Sequence, residues 1–195
     1  MPDHRGHGVP YARAVSRPRP WVIVPGIWNS DAEHWQSVWQ ADRREDAVRI
    51  APTSWSEPDP DDWSAALDAA VAAVDGPPVL VAHSLGVLAV AEWLAEHDDG
   101  RVAGAFLVAP PDPDAPGFPH AARGFAFPTR AVATPTLVVV SDDDPYCTRD
   151  RAEGLAAVLG SDVERIGPHG HVNIDSGVGD WTAGRTLLEA FADRL

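Results

Sequence analysis

The chain has 195 residues and a formal net charge of −14, with 45% hydrophobic and 23% charged residues. That is enough for one domain with its own core. The first twenty residues hold four arginines and one aspartate, so the remainder carries −17. Such a surface repels a phosphate backbone and argues against nucleic acid as a partner. All fifteen basic residues are arginine, and the absence of lysine excludes P-loops, Schiff-base chemistry and Ser-Lys dyads. No run reaches the eighteen or so apolar residues of a membrane span; the longest, from Leu85 to Ala95, is broken by Glu92. A lone cysteine, Cys147, permits no intrachain disulfide and suits a reducing compartment, so a cytoplasmic location is expected.

Residues 1–20, rich in Arg, His and Pro, lack the apolar block of a secretion signal and read as a flexible tail. From Trp21 to the C-terminus, short apolar runs alternate with longer amphipathic ones. Strands are predicted at Trp21–Val24, Val48–Ile50, Val79–Ala82, Gly104–Ala109, Thr136–Val140 and Val163–Ile166. Their near-continuous apolar character is that of strands covered on both faces. Ser30 or Asp31 is placed to cap a helix carrying Trp35 and Trp39 on one face. Asp61 or Asp62 is placed to cap a second helix, Trp63–Val74. Further helices are predicted at Leu85–His97, Thr148–Leu159 and Trp181–Leu195. Six strands alternating with helices imply a mostly parallel sheet with helices on both faces, a three-layer α/β fold. The long irregular stretch 110–135, rich in Pro, Gly and Phe, reads as a functional loop and not as a second domain.

The chemistry concentrates in three places. Val79-Leu-Val-Ala-His-Ser84-Leu-Gly86 passes from strand to helix in the manner of a nucleophile elbow, with Ala82 where the first glycine usually stands. Small residues are needed there because strand and helix backbones pass close together. The plainer alternative is a serine that merely caps the helix. A serine hydroxyl needs a base, and Gly167-Pro-His-Gly-His171 follows the last strand. Of His169 and His171, His171 is the preferred base, with Gly170 free to aim it. A zinc site on this pair lacks further ligands in sequence, and no metal is expected. The third member, orienting the imidazole, is sought in Ser141-Asp-Asp-Asp144-Pro145. Asp144 is preferred because Pro145 biases it to an extended conformation, leaving Asp142 and Asp143 as solvated turn residues. The three aspartates do not form a calcium loop, since its glycine and distal glutamate are missing. The chain order Ser84, Asp144, His171 is itself informative. The oxyanion of such a reaction needs fixed N–H donors, for which the amides of Leu85 and Ile27 are the candidates. Cys147, among acidic residues, is a poor rival nucleophile.

These motifs form an ordered set. Val24-Pro-Gly, Ser30…His34-Trp35-Gln36, Trp55…Pro58…Trp63, Ala82-His-Ser-Leu-Gly86, Val108-Ala-Pro-Pro-Asp112, Asp144-Pro-Tyr-Cys147 and Gly170-His-Val-Asn173…Gly177…Trp181 run through the whole region from Trp21 onward. Together they resemble the minimal α/β-hydrolase family of retinoblastoma-binding protein nine and its bacterial serine-hydrolase relatives. The resemblance implies a Ser84-Asp144-His171 triad, no organic cofactor and no large cap domain. Two positions depart from the pattern: Gly26-Ile-Trp-Asn29 carries less glycine than usual, and Val87 stands where many bacterial relatives have cysteine. The expected activity is hydrolysis of a small-molecule ester, thioester or amide through an acyl-enzyme. The expected pocket lining is Trp28, Trp55 and Phe118, with Phe125 and Phe127 as further candidates or as rings packed on the sheet. The competing expectation is a catalytically weak scaffold that keeps the fold and binds a protein partner.

Overall fold

The computed structural model describes residues 18–195. Six strands follow in chain order: β1 (Trp21–Val24), β2 (Ala47–Arg49), β3 (Val79–His83), β4 (Gly104–Val108), β5 (Thr136–Val140) and β6 (Asp162–Arg165). They form one sheet, β2-β1-β3-β4-β5-β6, in which every pairing is parallel. Five helices connect or flank them: α1 (Trp35–Arg43), α2 (Pro60–Ala72), α3 (Leu85–Glu96), α4 (Arg149–Leu159) and α5 (Thr182–Ala192). The stretch 110–135 contains one short 3-10 turn, His120–Ala122, and no cap domain is present among the described residues. Of the expected tail, residues 1–17 lie outside the described residues. Residues 18–20 are already held: the Pro20 carbonyl accepts from Val79 N–H at 2.9 Å, and the Arg19 guanidinium donates to the Leu195 carbonyl at 2.6 Å.

Side chains alternate across the sheet, and both faces are apolar. Val22 and Val24 of β1, with Leu80 and Ala82 of β3, meet Trp63 and Leu67 of α2, Leu88 of α3 and Leu155 of α4. Trp21 and Ile23, with Val79 and Val81, meet Trp35 and Trp39 of α1 and Leu188 and Phe191 of α5. The second face is dominated by indoles. Trp35 and Trp39 pack with ring centroids 4.5 Å apart, and Trp181 stacks on Trp39 at 5.8 Å.

Several local expectations need correction. The cap of α1 is His34, whose side chain accepts from the Gln36 amide; Ser30 instead donates to Gln36 Oε1. Helix α2 begins earlier than its apolar run suggests, because Pro60 fits the first helical position and Asp59 caps it by accepting from Asp62 N–H. Helix α5 stops at Ala192, three residues short of the chain end. Strand β6 is not covered on both faces. It has one neighbour, and its residues are largely exposed, as at a sheet edge.

The strand order places the site. After β1 the chain steps outward to β2, then crosses back to β3 on the other side of β1. Connections diverging from β1 and β3 leave a crevice beyond their carboxyl ends, where ligands bind in open parallel sheets. Gly26 and Ser84 lie just past those ends.

Candidate active site

Ser84 sits in the tight turn between β3 and α3 with φ +55° and ψ −128°. A non-glycine residue in that conformation costs of the order of 1–3 kcal/mol, and packing must enforce it. Gly86 shows how. A Cβ there would stand 2.3 Å from the Val24 carbonyl oxygen and 2.5 Å from that of Pro25, so no larger residue fits under the turn. Gly26 likewise passes so close that a Cβ would lie 2.8 Å from Ser84 Cβ. Ser84 is at the cap position of α3 but makes no capping bond. Its hydroxyl points elsewhere.

The partner is His171. Ser84 Oγ lies 2.8 Å from His171 Nε2, and His171 Nδ1 lies 2.9 and 3.0 Å from the two carboxylate oxygens of Asp144. A carboxylate can only accept, so Nδ1 carries the proton and Nε2 accepts from the serine hydroxyl. The His171 and Asp144 side chains are 7% and 4% exposed, which strengthens both bonds by excluding water. Asp144 Oδ1 also accepts from Tyr146 N–H at 2.8 Å, and the Tyr146 ring sets its edge against the imidazole, centroids 4.6 Å apart.

The loop that carries His171 is fastened from many directions. His83, the residue before the serine, donates from Nε2 to the His171 carbonyl at 2.8 Å. Trp35 Nε1 donates to the Val172 carbonyl at 2.9 Å. Asp143 accepts from Gly170 N–H at 2.7 Å, and Ser141 Oγ accepts from His169 N–H at 3.0 Å. Asp143 is therefore not simply a solvated turn residue, as its sequence position suggests. The Gly170 amide and the Ser141 hydroxyl hold its carboxyl below the usual range. Asp142 faces Arg149 at 3.8 Å. Gly170 has φ +52°, and a Cβ there would meet Ser176 Oγ at 2.5 Å, the same oxygen that accepts from His171 N–H at 2.9 Å. Of these, Trp35, His83 and Gly170 stand within motifs of the sequence, but the groups they bond are not visible there.

A cavity of about 530 Å³ opens over Ser84, lined among others by Ile27, Trp28, His34, Leu85, Phe118 and His171. The Trp28 amide is committed to the Trp55 carbonyl at 2.8 Å, whereas those of Ile27 and Leu85 have no described partner. Trp28 is 67% exposed at the rim. Trp55 is not in the lining. It packs edge-on against Trp63 with centroids 5.5 Å apart and ties down the Trp28 loop through its carbonyl. Phe125 is also elsewhere, buried against Trp63, and Phe127 lies under the Arg151 guanidinium. Two of the five aromatic expectations, Trp28 and Phe118, thus reach the cavity. Cys147 is buried, and its thiol is pushed up to about 12 by burial and by Asp112 and Asp144, which removes it as a nucleophile. Among the described residues no cluster of three metal-ligating side chains occurs, and no helix is long and apolar enough to cross a membrane.

Comparison with known proteins agrees with this architecture. Residues 21–190 match the model of the serine hydrolase family, and the chain belongs to that family. A solved YdeN-like hydrolase from Pectobacterium atrosepticum is 31% identical, with a TM-score of 0.79 over 90% of this chain and 91% of that one. The YdeN gene product of B. subtilis is 19% identical, with a TM-score of 0.72 over 89% and 98%. At 16% identity the type II thioesterase BorB of the borrelidin biosynthetic cluster shares the fold, with a TM-score of 0.63 over 90% and 95%. No curated protein matches the chain.

Proposed function

We propose that this protein hydrolyses small esters, thioesters or amides through an acyl-enzyme on Ser84. The observation that carries the reading is the unbroken line from Ser84 Oγ through His171 to Asp144, at 2.8 and 2.9 Å, on the floor of an open cavity. Ser84 attacks the substrate carbonyl while His171 Nε2 takes its proton, and Asp144 stabilises the imidazolium. The oxyanion accepts from the Leu85 amide at the start of α3 and from the Ile27 amide. Collapse expels the leaving group, which takes the proton from His171. Water then repeats the sequence on the acyl-enzyme and frees Ser84. All the groups used belong to the chain, and the partner is a small molecule.

The cavity is open, and of the three phenylalanine rings in the 110–135 stretch only Phe118 is in its lining. That supports a preference for short acyl chains. Nitrophenyl acetate and butyrate are expected to be turned over faster than the palmitate, with activity lost in Ser84→Ala. Equal or greater rates on palmitate would refute the short-chain preference. The lone buried thiol of Cys147 suits a reducing compartment, and we place the protein in the cytoplasm.

A further inference from the structure

His34 has a place in the cavity that the triad does not use. It lines the same cavity as Ser84 and His171 and is 5% exposed. Its Nδ1 accepts from the Gln36 amide at 3.2 Å, so that nitrogen bears the lone pair and the neutral ring carries its proton on Nε2. Nε2 is buried and has no hydrogen-bond partner among the described residues. The ring is held between His83, with centroids 4.9 Å apart, and Trp35, at 5.2 Å. Burial, with Arg49 and His171 nearby, lowers its pKa to about 4, so the ring is neutral at physiological pH. A buried N–H with nothing to bond is costly, and a fixed one in a substrate cavity has a use when an acceptor arrives.

We propose that His34 is a specificity-determining residue whose Nε2–H donates to an uncharged acceptor oxygen of the substrate, an ether, hydroxyl or carbonyl beside the scissile bond. The inference rests on the reading that this cavity binds the substrate of Ser84. An uncharged acceptor is favoured because the donor is neutral, because no arginine is among the lining residues, and because the exposed Asp31 and Asp175 at the rim repel anions. A site built to bond an oxygen discriminates against the isosteric alkyl group, since the N–H is then left unpaired.

Two isosteric pairs test it, one on each side of the scissile bond: nitrophenyl methoxyacetate against nitrophenyl butyrate, and methoxyethyl acetate against butyl acetate. His34→Asn keeps a side-chain oxygen to cap α1 but is too short to place a donor where Nε2 stood. The kcat/KM ratio of oxygenated to alkyl substrate is expected to fall about tenfold in this variant for one pair, and the responding pair identifies the acyl or the alcohol side. Intrinsic reactivity cancels in the comparison with the unsubstituted enzyme, and a general loss of stability does not move the ratio. His34→Ser, also a good cap, reads the same ratio should the asparagine variant fail to fold. Ratios unchanged in both pairs, with hydrolysis still dependent on Ser84, overturn the role of His34 alone. No Ser84-dependent hydrolysis of any of the four esters or of their thioester and amide counterparts overturns this inference and the acyl-enzyme reading together.

Discussion

The serine turn and the histidine loop bring two halves of one site together by opposite means. The turn around Ser84 is enforced locally: one strand, one helix and two close-passing glycines leave the backbone a single path. The loop around His171 has little regular structure of its own beyond the 3-10 turn Ile174–Ser176. Hydrogen bonds from residues as distant in sequence as Trp35 and His83 hold it. Steric exclusion cannot be relaxed by degrees, whereas a set of hydrogen bonds can lose one member at a time. Damage to the turn should therefore appear as loss of fold, and damage to the loop as loss of rate.

Gly86→Ala is the severest test of the first half. The added methyl would meet backbone oxygens at 2.3 and 2.5 Å, and neither can move without shifting β1. The expected cost is at least about 3 kcal/mol, read as a collapse of the thermal midpoint or of soluble yield. A variant that melts within a degree or two of the parent would show that the turn is not sterically enforced.

His83→Phe tests the second half. It preserves a buried ring but leaves the His171 carbonyl without its donor. A displacement of about 1 Å in a catalytic group can cost on the order of 100-fold. In this variant kcat is expected to fall by about 10- to 100-fold with KM within about twofold, and the thermal midpoint to fall by several degrees only. Loss of fold with unchanged kcat in the surviving protein would reverse the assignment.

The smallest effect is a dependence of stability on acidity. His34 titrates near 4 when folded and near 6.5 when unfolded, and burial holds His83 well below its ordinary value too. The unfolded chain then binds more protons than the native one between those values, so stability is complete above about pH 6.5 and declines as pH falls toward 4. For His34 the loss amounts to roughly 3 kcal/mol at most. Replacing His34 by Asn should flatten the decline of the melting temperature between pH 6.5 and 4, relative to the parent. Parallel curves would contradict the assignment.

The same contrast explains which parts of the molecule are legible in its sequence. The turn is written in contiguous residues, Val79 to Gly86, because its cause is local. The strands are equally readable, since each of the central ones is a short apolar block buried on both faces. Edge position is not local, so the exposure of β6 escaped the pattern. The convergence of the site on Ser84, Asp144 and His171 followed from chain order and the distinctive motif set, not from any measure of distance. The fastenings on the histidine loop stayed hidden because hydrogen bonds between Trp35 and Val172, or Asp143 and Gly170, depend on spatial neighbours 137 and 27 residues apart. Trp55 is a case of the same kind: an aromatic ring near a pocket motif has no signature that separates lining from support.

The proposed chemistry depends on His171 activating the Ser84 hydroxyl. Its most direct test is the rate at which a fluorophosphonate labels the folded protein, with the adduct located by mass spectrometry. Stoichiometric modification of the peptide bearing Ser84, abolished by Ser84→Ala and slowed by at least about 1,000-fold in His171→Ala, is the predicted result. An unlabelled but well-folded protein, or labelling indifferent to His171, would contradict it.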